Sequence, residues 1–394
     1  MIENRHIHTL QWLLCSIVIV LLSACSSSDA GEETVGATHK QPMLAIYVYA
    51  PEQAATAQRD SEQTRANEGE VDPITNEGTI KSLQIWIYES TSEKKDVGYF
   101  STSDVAALNE GQGATYQIPV RDEFANAKPA VNVYVMANVT NDNCGVGTLD
   151  KNTTRAALLD GAKITGGLSG HFGLEQNTRS VPTDGLPFAG MLTGQAVVGD
   201  APTLRVGTLS AVSTVQLTRA VSKLRFVFAK TTGQPTVKIT SIKINKQMIP
   251  YEEYLFKKES VAYNTEAKEL LLDDINDIAE TDDPTKYLYL DQEAQAYENL
   301  INEAASKQPN PEVTVEGPIY LRESDKQLAG TITYTIGNGT EQTVPFAMQQ
   351  AGDFSRNHTW IVYAYYAGAG KLQVQSLYVK NWTTKEMNYE FFNW

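Results

Sequence analysis

Four places in the sequence carry residue types that could do chemistry. Gly167-Leu168-Ser169-Gly170-His171 approaches the Gly-x-Ser-x-Gly elbow that presents a nucleophilic serine. A histidine stands where the last glycine belongs, and no strand-to-helix pattern surrounds it. Gly368-Ala369-Gly370-Lys371 approaches a phosphate-cradling loop, but Tyr365 occupies the first glycine position and Leu372 the magnesium-binding Ser/Thr position, so it reads as a hairpin turn. Asp273, Asp274, Asp277, Asp282 and Asp283 lack the alternate spacing, central glycine and closing glutamate of a calcium loop, and a solvated acidic loop is expected there. Of the imidazoles, His39, His171 and His358 are far apart and form no i, i+4 pair. No catalytic residue, metal or cofactor is assigned.

The position with a defined chemical fate is Cys25. Residues 1–25 hold an early Arg5, an uncharged apolar run from Trp12 to Leu22, and then Leu22-Ser23-Ala24-Cys25. The run is too short to span a bilayer, which takes about 20 residues, and reads as a signal peptide. Lipobox chemistry needs a short apolar residue three positions before the cysteine, small residues beside it, and a thiol to take the lipid. Cleavage between Ala24 and Cys25 would make Cys25 the mature N-terminus, anchored through diacylglyceryl and palmitate. Ser26 follows Cys25, with Asp29, Glu32 and Glu33 close behind, a pattern that points to the cell outer membrane with surface exposure. Removing this segment also removes His6, His8 and Cys15. Cys144 is then the one remaining unlipidated thiol, with no partner for an internal disulfide, so stability must come from packing.

The elements that position these residues follow from composition and pattern. The 394 residues are 42% hydrophobic and 20% charged, ordinary for a globular chain with more than one core. A formal net charge of −15 offers no basic footprint to a nucleic acid, so no nucleic-acid partner is expected. Nineteen Tyr and 27 Gly, with frequent Val, Thr and Ile, favour strands joined by turns.

Leu44, Ile46 and Val48 alternate with Ala45, Tyr47 and Tyr49, predicting a strand over 43–50. Ala54 to Pro73 is polar and acidic around Arg59 and Arg65, the composition of a flexible, protease-accessible linker. Strands are predicted at Thr79–Tyr88 and Val131–Val139, a capped helix at Thr153–Leu159, and an irregular Gly-rich stretch at 164–183. Further strands are predicted at Val212–Leu217, Lys223–Ala229, Val237–Ile244, Val313–Val315, Ile319–Arg322, Gly330–Ile336 and Thr343–Met348. Gly337-Asn338-Gly339 reads as a hairpin turn. Thr359–Tyr366, Lys371–Val379 and Thr384–Trp394 complete the strands, and Asp291–Lys307 is the one clear amphipathic helix, ended by Pro309. A domain boundary is placed near Ser210.

A strand at 43–50 followed by an Arg-bearing linker is what a removable strand looks like. Cutting after Arg65, or at the competing Arg59, would free both the strand and the lipid, leaving unpaired backbone and an apolar floor. At the other end, Met387, Tyr389 and Phe391 alternate with Glu386, Asn388 and Glu390, giving a tail strand one apolar face suited to strand addition.

Several of these segments together resemble the fimbrillin family, the subunits of type V pili. The carriers are the lipobox ending at Cys25, Thr64-Arg65-Ala66, Leu186-Pro187-Phe188-Ala189-Gly190-Met191, Leu217-Thr218-Arg219-Ala220-Val221-Ser222-Lys223-Leu224, Arg356-Asn357-His358-Thr359-Trp360, and a β-patterned tail with Trp382 and Trp394. The resemblance implies a mainly β fold of two transthyretin-like β-sandwich domains, here with one amphipathic helix inserted in the second. The implied organisation is a signal peptide (1–25), a propeptide (26–65) carrying removable strand 43–50, an N-terminal domain (66–210), and a C-terminal domain (211–394) with donor tail 371–394.

The implied function is structural, not enzymatic. The protein would be a surface-exposed fimbrium subunit, exported as a lipoprotein and cut between Arg65 and Ala66 by an arginine-specific protease. Donor-strand exchange would then join it to other pilus subunits and support cell adhesion. Removable-strand residues would be Leu44, Ile46 and Val48, and donor residues Met387, Tyr389 and Phe391. Partners would include the outer membrane, through the precursor's lipid, and a host or glycan receptor. Two alternatives remain: an uncleaved fimbrial anchor or accessory subunit, and a surface glycan-binding lipoprotein using Trp86, Trp360 or Trp382 as an exposed platform. The linker from Ala50 to Arg65 is longer than the resemblance leads one to expect, and the 291–307 helix with its acidic approach reads as an insertion.

Overall fold

The alternation around Ile46 becomes strand β1 (Met43–Tyr49), whose odd and even positions face opposite ways as a pleat requires. A computed structural model describes residues 40–50, 77–92, 96–105, 108, 113–174, 180–245, 247–258, 261–265, 267–270, 275–288, 294–348 and 354–379. After β1 come β2 (Leu83–Glu89), β3 (Asp96–Thr102), β4 (Gly113–Pro119), helix α1 (Asp122–Ala127), β5 (Val131–Ala137), and helices α2 (Asn141–Cys144) and α3 (Arg155–Gly161). Then follow β6 (Lys163–Ile164), β7 (Phe188–Gln195), β8 (Val197–Asp200), β9 (Thr203–Val206), β10 (Thr214–Gln216) and β11 (Thr218–Arg219). The remaining strands up to the long helix are β12 (Ser222–Thr231), β13 (Val237–Ile244), β14 (Glu253–Tyr254), β15 (Lys268–Glu269) and β16 (Glu280–Thr281). Helix α4 (Ala294–Ser306) precedes β17 (Thr314–Leu321), β18 (Ala329–Ile336), β19 (Gln342–Ala347), β20 (Thr359–Tyr366) and β21 (Gln373–Val379).

The fold is mainly β and built from pairs of sheets. The first sheet places β1 between β4 on one edge and β9 and β10 on the other, with β8 outside β9. The second runs β11-β7-β5-β2-β3. Inward residues of both, among them Leu44, Ile46, Val48, Ile85, Ile87, Val133 and Leu204, form one apolar cluster. The third sheet runs β16-β12-β20-β21 with β17 also on β12, and the fourth β15-β13-β18-β19. Leu224, Phe226 and Phe228 of β12 share a second cluster with Ile239 and Ile242 of β13 and Ile332 of β18.

The helix at 294–306 explains why β20, and β12 from Phe226 to Ala229, carry apolar residues on both faces. It covers the other face of the third sheet, where Tyr297, Ile301 and Ala304 cluster with Val227, Ala229, Ile361 and Tyr363. Tyr297 donates to Tyr287 O at 2.8 Å and Tyr363 to Pro284 O at 2.6 Å, so the buried phenols are satisfied.

Several boundaries differ from the pattern-based expectation. The strand expected from Thr79 starts at Leu83, because Lys81 N and Ser82 N bond instead to the Asn138 side chain. The two short strands expected at 313–315 and 319–322 are one strand, β17. Gly317, at φ +101°, lets it shift register past Leu224 and Phe226. The segment expected to open the second strand-dense half enters the first sheet instead, as β10 beside β1. The capped helix is α3, with the Thr154 hydroxyl accepting from Ala157 N at 3.2 Å. Both hairpin turns, at 337–339 and 368–371, lie where expected, between β18 and β19 and between β20 and β21.

Candidate functional site

Every inward residue of β1 is fully enclosed: Leu44, Ile46, Val48 and the following Ala50 are all between 0% and 1% exposed. Along one edge β1 pairs antiparallel with β4 over its whole length, Met43 opposite Pro119 through Tyr49 opposite Gly113. Along the other edge it pairs parallel with β9 at Met43–Ala45 and with β10 at Tyr47–Tyr49. Between those two strands the chain leaves the edge in a loop closed by Ser213 N donating to Val206 O at 3.0 Å. Leu209 at its tip is 81% exposed. On the outer face the Tyr47 phenol lies where any side chain on Gly113 would have to be. Ala45, Tyr47, Thr115, Arg205, Val212 and Thr214 line a shallow depression there.

The chain leaving β1 and the chain arriving at β2 are held by the same short segment. Leu217 N donates to Tyr49 O at 3.0 Å, and Arg219 Nε donates to Glu77 O at 3.1 Å. Residues 51–76 connect these points and, fully extended, would reach roughly 90 Å.

Glu77, the first described residue after that connection, is 0% exposed. Its carboxylate accepts from the Tyr320 hydroxyl at 2.6 Å and pairs with Lys223 Nζ at 3.2 Å. Lys223 also pairs with Glu298 on α4 at 3.1 Å, and Arg225 reaches the same carboxylate at 3.3 Å and Asn302 at 2.9 Å. Lys223 and Arg225 are on the face of β12 that α4 covers, so their charges are met by that helix. Burial works to raise the Glu298 carboxyl, but the Lys223 and Arg225 charges outweigh it and hold it below the usual range. Burial and the Glu77 charge push the Tyr320 phenol well above its ordinary value, so it stays a donor.

A second buried ion cluster lies around Arg356. Its guanidinium sits 2.9 Å from Glu253 and 2.6 Å from Glu323, and donates to Tyr254 O at 2.8 Å and Leu255 O at 3.2 Å. Burial pushes Glu253 up to about 8, with the Arg356 charge opposing and the Glu323 charge adding to the rise. Next to it, Arg322 donates to Tyr251 O and to Gly167 O, and its own N to Phe172 O at 3.1 Å. The Gly167–His171 segment thus receives a structural arginine. Ser169 is exposed in a short 3-10 turn, and burial and the Arg322 charge lower His171.

Of the residues singled out in the sequence, Leu44, Ile46 and Val48 are brought together as one inward row. Cys25, Ala24, Arg65, Ala66, Met387, Tyr389 and Phe391 lie outside the described residues. The described part of the 371–394 tail, β21, pairs antiparallel with β20 from Tyr365 opposite Gln373 to Thr359 opposite Val379. Trp86 and Trp360 are 1% and 0% exposed, so neither offers a platform, and Trp382 lies outside the described residues. Within the acidic stretch Asp277 pairs with Lys230 at 2.7 Å, and Asp283 caps a 3-10 turn. Among the described residues no three His, Cys, Asp or Glu side chains are grouped to hold a metal ion. Burial pushes the Cys144 thiol far above its usual range.

The sequence reading missed Glu77, Tyr320 and Glu298 as a connected set. The available signal was Lys223 and Arg225 at alternate positions of an otherwise apolar strand, which demands buried counter-charges.

No family model matches the chain, and no curated protein does. Among solved structures it is similar to the tip fimbrial protein Mfa3 from Porphyromonas gingivalis with C-terminal truncation, at 11% identity, covering 86% of this chain and 99% of that one, with a TM-score of 0.46. It is similar also to a fimbrial assembly protein from Parabacteroides distasonis ATCC 8503, at 13% identity, 86% and 96% coverage and a TM-score of 0.43. A third is the fimbrial anchor protein Mfa2 from Porphyromonas gingivalis, at 8% identity, 86% and 99% coverage and a TM-score of 0.39.

Proposed function

We propose that this chain is a structural subunit of a cell-surface pilus, exported as a lipoprotein precursor to the outer membrane. A cut in the 51–76 loop by an arginine-specific protease matures it, and strand exchange at the site of β1 joins it to other pilus subunits. The observation that carries the reading is that β1 is paired on both edges and buried on one face, yet is joined covalently to those partner strands through residues 51–76, which contain Arg59 and Arg65.

Physical chemistry supports the exchange. Burying Leu44, Ile46 and Val48 is worth on the order of 5–9 kcal/mol before ordering entropy is subtracted. A site emptied of β1 would expose that much apolar surface together with the unpaired edges of β4, β9 and β10, and would capture another strand of suitable pattern. A head-to-tail contact of this kind does not close on itself and so builds a filament. In this reading the two pairs of sheets are the two domains, with β10 and β11 belonging to the first, so that the boundary falls after Arg219 and not near Ser210. The part of the tail available for donation is 380–394, beyond β21.

The test uses protein from Ser26 onward, treated with an arginine-specific protease and followed by N-terminal sequencing and gel filtration. The expected result is a product beginning at Ala66 that loses residues 26–65 when an acceptable strand is supplied. A chain that resists cutting at both Arg59 and Arg65, or keeps β1 bound whatever strand is offered, would overturn the reading.

A further inference from the structure

The inward row of β1 is a mould of what its site accepts. Leu44, Ile46, Val48 and Ala50 are all but inaccessible to solvent, so the pockets they fill are closed around aliphatic side chains that become smaller toward the C-terminal end. The outer face adds a fifth position, where Gly113 leaves room for the Tyr47 phenol. Protein interiors at this packing density do not admit larger side chains without displacing neighbours.

The chain's own tail does not have this shape. Residues 380–394 contain no Ala, Val, Leu or Ile. With the tail running in the direction of β1, two registers seat Met387, Tyr389 and Phe391 together inward. In one, Tyr389 falls at the Ile46 position, Phe391 at Val48 and Asn393 at Ala50. In the other, Lys385 falls at Leu44, Tyr389 at Val48 and Phe391 at Ala50. Each register places two aromatic rings in pockets shaped for smaller side chains and one polar or charged group at a buried position.

Resting on the strand-exchange reading above, we infer that the β1 site takes a strand from a chemically different chain, one with aliphatic residues at alternate positions tapering to a small residue, and not the tail of a second copy of this protein. The tail in turn suits a wider groove than this chain offers. The protein therefore joins unlike neighbours and does not form a filament of itself alone.

Peptide exchange tests this directly. Protein from Ser26 onward, cut in the loop, is incubated with labelled peptides, and bound label and released 26–65 fragment are read by gel filtration and mass spectrometry. Three peptides are compared: residues 41–50, residues 385–394, and residues 385–394 carrying Met387→Leu, Tyr389→Ile, Phe391→Val and Asn393→Ala. The expected result is that the first and third enter the site and the native tail is retained at least about tenfold less. Native tail entering as well as the 41–50 peptide would overturn the inference while leaving strand exchange intact. The third peptide failing where the first binds would overturn it too, since the four inward positions would not be what the site selects. If the 41–50 peptide itself never exchanges in, strand exchange fails and the inference with it.

Discussion

The Tyr320 hydroxyl donates to the Glu77 carboxylate over 2.6 Å, joining residues 243 positions apart. Through it the beginning of the chain that follows the 51–76 loop is fixed to β17, and through Lys223 to α4. A carboxylate in that position, enclosed and shared by a phenol and an ammonium, would anchor the N-terminal region of a chain cut before it.

Removing that anchor should be expensive. Glu77→Ala leaves the Lys223 ammonium with Glu298 alone of the two carboxylates it pairs with and the Tyr320 hydroxyl without its acceptor, and about 3–5 kcal/mol of stability should be lost. Tyr320→Phe removes one hydrogen bond to a charged group and should lose about 1.5–3 kcal/mol. Urea unfolding midpoints at unchanged slope measure both. Midpoints indistinguishable from the parent protein would mean that the network contributes nothing.

The inward row of β1 should be far more sensitive than its outer face. Ile46→Ala should lower stability by about 2–5 kcal/mol in the intact chain. After the loop is cut it should also speed the departure of β1, followed by loss of label attached to the 26–65 fragment. Ala45→Ser, on the outer face, should stay within about 0.5 kcal/mol of the parent. Equal effects of the two substitutions would contradict the register described for β1.

Stability should fall as pH rises from about 5 to about 8. Burial raises Glu253 to about 8 in the folded protein. An unfolded carboxyl titrates near 4.3, so between these values the folded chain holds a proton that the unfolded chain has released. Unfolding then gives up protons, and raising the pH favours it, with a limiting slope of about 1.4 kcal/mol per pH unit from this one group. Glu298 and Glu323, both lowered, work in the opposite sense, their contribution being present above the unfolded value and lost as pH falls through the folded one. Glu253→Gln should flatten the decline between pH 5 and 8. Parallel pH profiles for the two proteins would show that Glu253 is ionised throughout.

Helix α4 should matter as a cover and not as an appendage. Ile301→Ala opens a cavity against the third sheet and should lose about 2–5 kcal/mol, visible in thermal or urea unfolding. A change below about 0.5 kcal/mol would mean that the helix does not seal that face.

Shortening the 51–76 connection should barely disturb the fold, because the residues on either side of it are held by Leu217 and Arg219 and not by the connection itself. Deleting residues 53–62, which keeps Arg65, should shift stability by less than about 1 kcal/mol, since halving a loop changes closure entropy by about 0.6 kcal/mol. A large loss would show that the deleted residues make contacts of their own.

Much of this fold was legible locally. Leu44, Ile46 and Val48 alternate because one face of β1 is buried and the other is not, and period two survives in sequence. Thr154 and Gly337-Asn338-Gly339 announce a cap and a turn through their own chemistry. The pairing of β10 with β1 left no local mark, because parallel contacts between residues 43–49 and 203–216 depend on the whole sheet. Lys223 and Arg225 show that counter-charges must exist, but Glu77 looks like any other acid at the end of an acidic linker. The helix at 294–306 was visible from its period, whereas what it covers, strands β12 and β20, lies on either side of it in sequence. The residues expected to carry lipid, cleavage and donation lie outside the described structure, so their roles rest on sequence pattern and on the proposal.

The two hydrogen bonds at Leu217 and Arg219 have a further consequence. With the residues on either side of it held by Leu217 and Arg219, the 51–76 connection is a tether that keeps β1 near its site at an effective concentration on the order of millimolar. Breaking one peptide bond in it leaves every described hydrogen bond of β1 in place, yet turns an intramolecular ligand into a free one. At micromolar protein, recapture then falls about a thousandfold, and β1 becomes one competitor among any strands that fit. Proteolysis at such a loop would be a change of molecularity before it is a change of shape.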